Sequence, residues 1–333
     1  MDKLELIKRN CEEVVNEDEL KNLLKKKNYS AYIGFAPTGR IHVGYLIPLV
    51  KIADFIKVGF KFKFLIADMH AFLDDKKTPW ELLDLRSKYY EEAIKAIFKA
   101  IHVDTKNLEF VKGSDFQLNK DYMLDVLHLT GELTVNRCKR AASEVVRFKE
   151  DPKLGGFLYP IMQVLDPFYM KIDVCFSGID QRGIYMLGRE VLPKLKNRTL
   201  TCVFTPLLPG LNGGKMSASD EKSKIDLLDS EKDVVSKVNK AYCPEGVVED
   251  NGVLTFIQYV VFPLKDQFKV ERPEKFGGGI IYKRYEDLEK DFIAKKLHPA
   301  DLKKQLSEEL NKILNPIRKS LENKKDLIKK AYS

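Results

Sequence analysis

The five cysteines of this 333-residue chain, Cys11, Cys138, Cys175, Cys202 and Cys243, are scattered, odd in number and never in C-x-x-C spacing. That argues against a disulfide framework and a zinc site, and for a reducing compartment. The five histidines are equally dispersed, so no tightly bound metal is expected. No apolar run approaches the roughly 20 residues that a membrane-spanning helix needs. The first residues are charged and lack an apolar stretch, so a secretory leader is not expected. Internal repeats and low-complexity segments are absent. What is there is 44% hydrophobic and 32% charged residues, the composition of an ordinary globular protein. The length favours two domains. A net charge of +8 permits a polyanionic partner without demanding one. The reading is a cytoplasmic enzyme or binding protein, with no membrane partner.

Taken in order, Leu4 to about Lys27 reads as one or two surface helices. Tyr32, Ile33 and Phe35 form a short strand, followed by the turn Pro37-Thr-Gly39. His42 to about Lys57 carries Val43, Leu46, Ile47, Val50, Ala53 and Ile56 at helical spacing, with Pro48 giving a local kink. Phe62 to Asp68 is a central parallel strand, with His70 just beyond its end. A helix from Trp80 to about Ile101 leads to the strand Leu108–Val111, after which Gln117 follows. Residues 118–157 are helical and basic, an insertion in the βα rhythm. Strands at Asp173–Phe176 and Thr201–Phe204 flank a helix that runs to about Leu192. Beyond Asp229 the strand rhythm stops, with Phe262-Pro-Leu and Phe276-Gly-Gly-Gly as loop markers. Leu302 to Ile328 is helical, with Pro316 as an interruption. The alternation predicts an α/β fold: a doubly wound parallel-sheet catalytic domain over 1–228, and a smaller, mainly helical C-terminal domain over 229–333. Ligands in such a fold sit beyond the carboxyl ends of the strands.

Three stretches carry chemistry. The first runs from Ala31 to Tyr45: strand, tight turn, helix mouth, an arrangement that offers backbone N–H groups to an anion. Its spacing is neither that of a G-x-x-x-x-G-K-[ST] phosphate loop nor that of G-x-G-x-x-G. His42 adds a ring donor, and Gly34 and Gly44 leave room beside the backbone. The second is Lys215-Met-Ser-Ala-Ser219, after a double glycine. A lysine on a glycine-hinged loop can approach late and stabilise charge that builds on a phosphate, while serine hydroxyls bind phosphate oxygens. The third is Tyr159-x-x-x-Gln163-x-x-Asp166, which puts all three side chains on one face if helical. Ser177-Gly-Ile-Asp-Gln181 follows the next strand.

His42-Val-Gly-Tyr45 and Lys215-Met-Ser-Ala-Ser219 resemble the "HIGH" and "KMSKS" signatures of class I aminoacyl-tRNA synthetases, in order and at the two ends of one Rossmann-like, HUP-type domain. With Tyr32, the third stretch and Ser177–Gln181, the likeness sharpens to tyrosyl-tRNA synthetases of the archaeal/eukaryotic cytoplasmic type, across nearly the whole chain. The resemblance implies tyrosine–tRNA ligase activity with ATP as substrate and Mg2+ on its phosphates. It implies that Tyr32 and Asp166 bond the phenolic hydroxyl, that Tyr159, Gln163 and Gln181 hold the ammonium end, and that His70 and Gln117 belong to the same pocket. Gly34, His42, Gly44, Gly178, Asp180, Lys215, Met216, Ser217 and Ser219 fall on the ATP side, with His42 and Lys215 as the catalytic pair. A buried Asp and Tyr left without a substrate hydroxyl suffer an unsatisfied-polar penalty, so this polarity suits tyrosine over phenylalanine.

The resemblance further implies tRNA(Tyr) as partner. Arg140 and Arg182 fall where the first acceptor pair is read, and Phe276, His298 and Asp301 where the anticodon is read. It also implies a homodimer formed through the insertion. Tryptophanyl-tRNA synthetases share fold and signatures; the acidic residue at 166 beside Tyr32 argues for the phenol. A non-catalytic tRNA-binding paralogue would lack Lys215 or have a broken pocket. A nucleotidylyltransferase would lack the second signature and the basic helical domain. Two positions depart from the signatures: Tyr45 replaces a histidine, and Ala218 a lysine.

Overall fold

The computed structural model describes residues 2–213, 224–265 and 267–332. In chain order the elements are α1 (Lys3–Lys8), β1 (Glu13–Val15), α2 (Glu17–Leu23), β2 (Ser30–Phe35), α3 (Leu46–Val58), β3 (Lys61–Ile66), α4 (Asp68–Leu73), α5 (Leu83–Ala100) and β4 (Leu108–Lys112). Next come α6 (Ser114–Gln117), α7 (Lys120–Glu132), α8 (Val135–Ala142), α9 (Gly155–Tyr169), β5 (Val174–Gly178), α10 (Arg182–Lys196) and β6 (Thr201–Thr205). The remainder is α11 (Glu231–Asn239), α12 (Gly252–Phe256), α13 (Phe262–Leu264), β7 (Phe268–Val270), β8 (Ile280–Tyr282), α14 (Tyr285–Ile293), α15 (Pro299–Leu321) and α16 (Lys325–Tyr332).

The main sheet has the order β1-β6-β5-β2-β3-β4, with β2 to β6 parallel and β1 antiparallel to β6. The chain winds outward from β2 through β3 to β4, crosses back, and continues on the other side through β5 and β6. The winding therefore reverses between β2 and β5, where an open α/β sheet leaves a crevice. The doubly wound α/β expectation holds. Period-two alternation along β2 sends Ala31 and Ile33 into the core on one face and Tyr32 into the core on the other. The first face is covered by α3 and α5, and its core continues without a break into α11, α12 and α15. The second lies under α7, α9 and α10. Leu302, Leu306, Leu310, Leu314 and Ile317 of α15 are all fully buried, and α15 packs against α5 and α11.

Several local expectations are overturned. The segment before Tyr29 is not helical throughout: β1 adds an antiparallel edge, its residue Val14 registered with Val203. Three residues are too few for alternation to show. Strands also return after Asp229, as the hairpin of β7 and β8. Phe262-Pro-Leu is helix, not loop. It follows a π-type turn at Ile257–Val261, whose wider ladder leaves room for a proline. Pro316 lies inside α15 without ending it. Long amphipathic packing outweighs one missing N–H there. Pro48 falls in the first turn of α3, which runs on without a break from a 3-10 turn at Val43–Tyr45, so the proline does not end the helix.

Candidate active site

His42 is held by its own turn. Its backbone is extended (φ −129°, ψ 171°), and it caps the single 3-10 turn Val43–Tyr45 by accepting the Gly44 N–H on Nδ1 at 3.2 Å. With Nδ1 an acceptor, the neutral ring carries its proton on Nε2 and can donate from there. Burial pulls its pKa down to about 4, and the Lys224 charge adds to the pull, so the ring is neutral at physiological pH. The backbone after residue 223 is laced to this turn. Val43 N–H donates to the Ile225 carbonyl at 2.9 Å, and an Arg40 guanidinium nitrogen donates to Asp226 Oδ1 at 2.9 Å. Lys215, Met216, Ser217, Ala218 and Ser219 lie outside the described residues. Tyr45 sets its ring edge-on to His42 at 5.0 Å and to Phe35 at 5.1 Å, with its hydroxyl against that of Tyr90 at 3.1 Å.

On the other side, α9 presents Tyr159, Gln163 and Asp166 at i, i+4 and i+7, as their spacing requires. Asp166 is 1% exposed. Its Oδ1 accepts from Gln117 Nε2 and from the Tyr122 hydroxyl, each at 2.8 Å. Its Oδ2 has no hydrogen-bond partner, and His70 Nε2 stands 3.9 Å away. Burial pushes the Asp166 carboxyl up to about 7, against the downward pull of its two donors. Burial holds His70 near 4, against a weak upward pull from the Tyr159 backbone, so this pair is not an ion pair at neutral pH. Tyr32, also 1% exposed, shares a 2.8 Å hydrogen bond with the Tyr185 hydroxyl. Gln163 Nε2 donates to Gln181 Oε1 at 2.9 Å.

These groups meet in a cavity of about 410 Å³ at the carboxyl ends of β2 and β5. Tyr32, His70, Tyr159, Gln163, Asp166 and Gln181 form one part of its wall, and Gly34, His42, Gly44, Gly178 and Asp180 another. A Cβ at Gly178 would stand 2.7 Å from Asp180 Oδ1, so a larger residue there would displace the end of that side chain. At Gly34 a Cβ would meet Leu65 at an ordinary 3.4 Å, so packing alone does not demand the glycine; its lack of a side chain keeps the cavity clear. Gln117 does not line the cavity. It is fully buried behind Asp166, which it orients.

The five residues predicted to read tRNA are not at the cavity wall. Arg140 is exposed in the last turn of α8. Arg182 opens α10 and donates through two nitrogens to Glu13, at 2.5 and 3.0 Å. Phe276 is 60% exposed, with the Lys275 ammonium 5.0 Å from its ring centre. His298 caps α15 through Nδ1, and Asp301 sits in that helix's first turn. Arg272 ties these two places together by donating to the Gly278 and Lys296 carbonyls. Tyr185 and Tyr122 were missed. Tyr185 follows Gln181 at helical i+4, a legible signal. Tyr122 reaches Asp166 only through the packing of α7 on α9, which no local spacing reveals.

Comparison with known proteins agrees with this geometry. The family described as tRNA synthetases class I (W and Y) matches residues 24–315. A tyrosine–tRNA ligase from Haloarcula marismortui is 48% identical over 99% of this chain and 97% of its own length. The cytoplasmic tyrosine–tRNA ligase of Danio rerio is also 48% identical over 99% of this chain, which spans only 63% of that longer protein. The crystal structure of a tyrosyl-tRNA synthetase from Archaeoglobus fulgidus, complexed with L-tyrosine, superposes with a TM-score of 0.90 at 42% identity, covering 96% of this chain and 98% of the other. The chain belongs to the class I tRNA synthetases, in their tryptophan and tyrosine group. Within that group its family is that of the tyrosine–tRNA ligases, aminoacyl-tRNA ligases whose archaeal and eukaryotic cytoplasmic members are both among its relatives.

Proposed function

We propose that this chain activates L-tyrosine with ATP and transfers it to tRNA(Tyr), using the cavity between β2 and α9. One observation carries the choice of amino acid: a fully buried carboxylate oxygen, Asp166 Oδ2, without a partner in a wall it shares with the Tyr32 hydroxyl. A phenolic hydroxyl satisfies it by donating. The ring of phenylalanine has no donor, and burying it against Asp166 leaves that oxygen unpaired; the indole of tryptophan has one N–H to give but no oxygen that can also accept from the Tyr32 hydroxyl. Gln163, Gln181 and Tyr159, one helical turn or more along the same wall, offer oxygens to the substrate ammonium.

In the first step an oxygen of the tyrosine carboxylate attacks the α-phosphorus of ATP. The new O–P bond gives tyrosyl-adenylate, and the bond to the β-phosphate oxygen breaks to release pyrophosphate. His42 Nε2–H donates to the charge that grows on the phosphate oxygens, and Gly44 and Gly178 let the nucleotide lie close to the backbone. Lys215 supplies the second charge, from outside the described residues. Magnesium accompanies ATP as part of the substrate, on its phosphates. In the second step a hydroxyl of the terminal ribose of tRNA attacks the tyrosyl carbonyl, the bond from that carbon to the phosphate oxygen breaks, and AMP leaves with its phosphate taking the hydroxyl proton. No side chain need act as a dedicated base; positioning and charge stabilisation suffice.

The same reading takes 1–228 as the catalytic domain, 118–157 as its insertion, and 229–333 as the anticodon-binding domain, with Arg140 and Arg182 at the acceptor end and Phe276, His298 and Asp301 at the anticodon. A homodimer through the insertion is supported by Leu118, Leu124, Leu127 and Val135, apolar residues all more than half exposed there. No helix among the described residues is long and apolar enough to cross a membrane, and a cytoplasmic site fits the five free cysteines. Charging tests the proposal. Purified chain, ATP, tRNA(Tyr) and labelled tyrosine should yield acid-precipitable tyrosyl-tRNA, whereas labelled tryptophan in place of tyrosine should yield no labelled tRNA.

A further inference from the structure

The turn between β2 and His42 has no regular secondary structure, yet three successive carbonyls in it are each taken by a side chain from elsewhere. The Pro37 carbonyl accepts from Thr78 Oγ1 at 2.7 Å. The Thr38 carbonyl accepts from Arg86 at 2.7 Å. The Gly39 carbonyl accepts twice, from the Tyr90 hydroxyl at 2.8 Å and from the Tyr332 hydroxyl at 2.9 Å. A phenol has one proton to give. Tyr90 gives its proton to Gly39, so in the 3.1 Å contact between the Tyr45 and Tyr90 hydroxyls Tyr45 is the donor. One residue before His42, the Ile41 N–H donates to the Tyr89 hydroxyl at 3.1 Å.

Three tyrosines and an arginine thus bond to residues 38–41, and they come from distant parts of the chain. Arg86, Tyr89 and Tyr90 belong to α5, whereas Tyr332 ends α16. Arg86 joins the two helices: it donates to the Ala331 carbonyl at 3.0 Å and holds its guanidinium 4.7 Å from the centre of the Tyr332 ring. Tyr89 meets the same ring edge-on at 5.3 Å. Of these aromatic groups only Tyr45 reaches the cavity wall, where it also abuts His42. Tyr89, Tyr90 and Tyr332 do not line the cavity.

We propose that Tyr332 and Tyr90 are positioning residues for the His42 turn: through the Gly39 carbonyl they brace it against α5 and α16, so that a helix outside the cavity governs how well the turn receives ATP. Tyr45, the departure from the histidine of the signature, is the inner end of this brace, its hydroxyl committed to Tyr90 rather than to a phosphate. The inference rests on the proposed assignment of this turn to ATP.

Two hydroxyl deletions that keep the rings test it. In tyrosine-dependent ATP–pyrophosphate exchange, Tyr332→Phe and Tyr90→Phe should each raise KM for ATP by about threefold to tenfold, the scale of one lost hydrogen bond. KM for tyrosine should stay within about twofold, and Lys329→Ala, on the exposed side of α16, should leave both unchanged. Unchanged ATP KM in both deletions overturns the brace, as does an equal rise for ATP and tyrosine, the mark of general loosening. Absence of exchange in the unaltered chain would instead defeat the assignment to ATP. The brace is then read without turnover, by amide hydrogen exchange. Faster exchange at Gly39 to Ile41 in the deletions, but not in Lys329→Ala, sustains it, and identical protection in all four proteins refutes it.

Discussion

Asp166 Oδ2 and His70 Nε2 stand 3.9 Å apart in a buried wall, and neither atom has a hydrogen-bond partner. Gln117 and Tyr122 hold the other carboxylate oxygen, so the carboxyl group is fixed in orientation with one oxygen left to bond. An unsatisfied buried acceptor is costly unless a ligand supplies the missing donor. Asp166 Oδ2 is left open to a donor, and on the proposed reading the phenolic hydroxyl is that donor.

That arrangement makes tyrosine use depend on pH. Asp166 is pushed up to about 7, so its carboxylate fraction falls as pH drops below neutrality. A protonated carboxyl cannot accept the phenolic proton as a charged group does. KM for tyrosine should therefore rise as pH falls from 8 to 6, with an inflection near 7. His70, held near 4, stays neutral throughout and adds nothing to the profile. Without ligand the sign for stability is the reverse. A raised carboxyl favours the folded chain at low pH, and that contribution is lost as pH rises through about 7. Asp166→Asn should flatten both profiles; a tyrosine KM that is level from pH 6 to 8 would remove the carboxylate from recognition.

Discrimination should follow the two buried hydroxyl-recognising groups. Asp166→Ala should raise KM for tyrosine by about tenfold to a hundredfold, the cost of an unpaired buried hydroxyl, and leave KM for ATP within about twofold. Tyr32→Phe should narrow the preference for tyrosine over phenylalanine by about tenfold. Steady-state exchange assays with both amino acids measure this directly, and an unchanged tyrosine KM in Asp166→Ala would place the phenol elsewhere.

His42 is expected to act on the step itself. Its Nε2–H is preset by the Gly44 N–H on Nδ1, and the ring is neutral at working pH. His42→Ala should lower the rate of adenylate formation by about a hundredfold to a thousandfold, the effect of removing one preorganised donor, with tyrosine binding nearly intact. Single-turnover kinetics at saturating ATP separate the two. A large loss of tyrosine affinity with little loss of rate would reassign the residue.

Much of this site was legible because local spacing carries it. Tyr159, Gln163 and Asp166 needed only a helix to share a face, and Gly178, Asp180 and Gln181 follow directly from the end of a strand. The His42 turn was readable for the same reason: strand, turn and cap are contiguous. What escaped depends on contacts between distant segments. Tyr122 reaches Asp166 from the insertion, and Gln117, expected in the pocket, instead backs Asp166 from beyond the end of β4. Tyr332 reaches Gly39 across 293 residues. Short elements escaped too. Glu13–Val15 and the hairpin of β7 and β8 have three residues per strand, below the length at which alternation can be told from chance. Taking proline as a helix breaker failed at Phe262-Pro-Leu, where a π-type turn precedes it, and at Pro316, where packing of the long helix outweighed one lost N–H.

The exposed apolar face of the insertion should govern assembly. Leu124 and Leu127 of α7 are 53% and 61% exposed. Leu127→Asp would bury an unpaired charge in any interface built there, a cost of several kcal/mol by the usual scale for such groups. Sedimentation or light scattering should find the unaltered chain a dimer and the variant a monomer with unchanged helical content. A variant that remains dimeric would exclude this face.

The central claim is that tyrosine is the amino acid activated. Amino-acid-dependent exchange of labelled pyrophosphate into ATP tests it most directly, because it needs neither tRNA nor the second step. L-tyrosine is predicted to support rapid exchange, with tryptophan and phenylalanine at the same concentration giving little above background. Exchange with tryptophan but not tyrosine, or none with any amino acid in a chain that is folded and binds ATP, would contradict it.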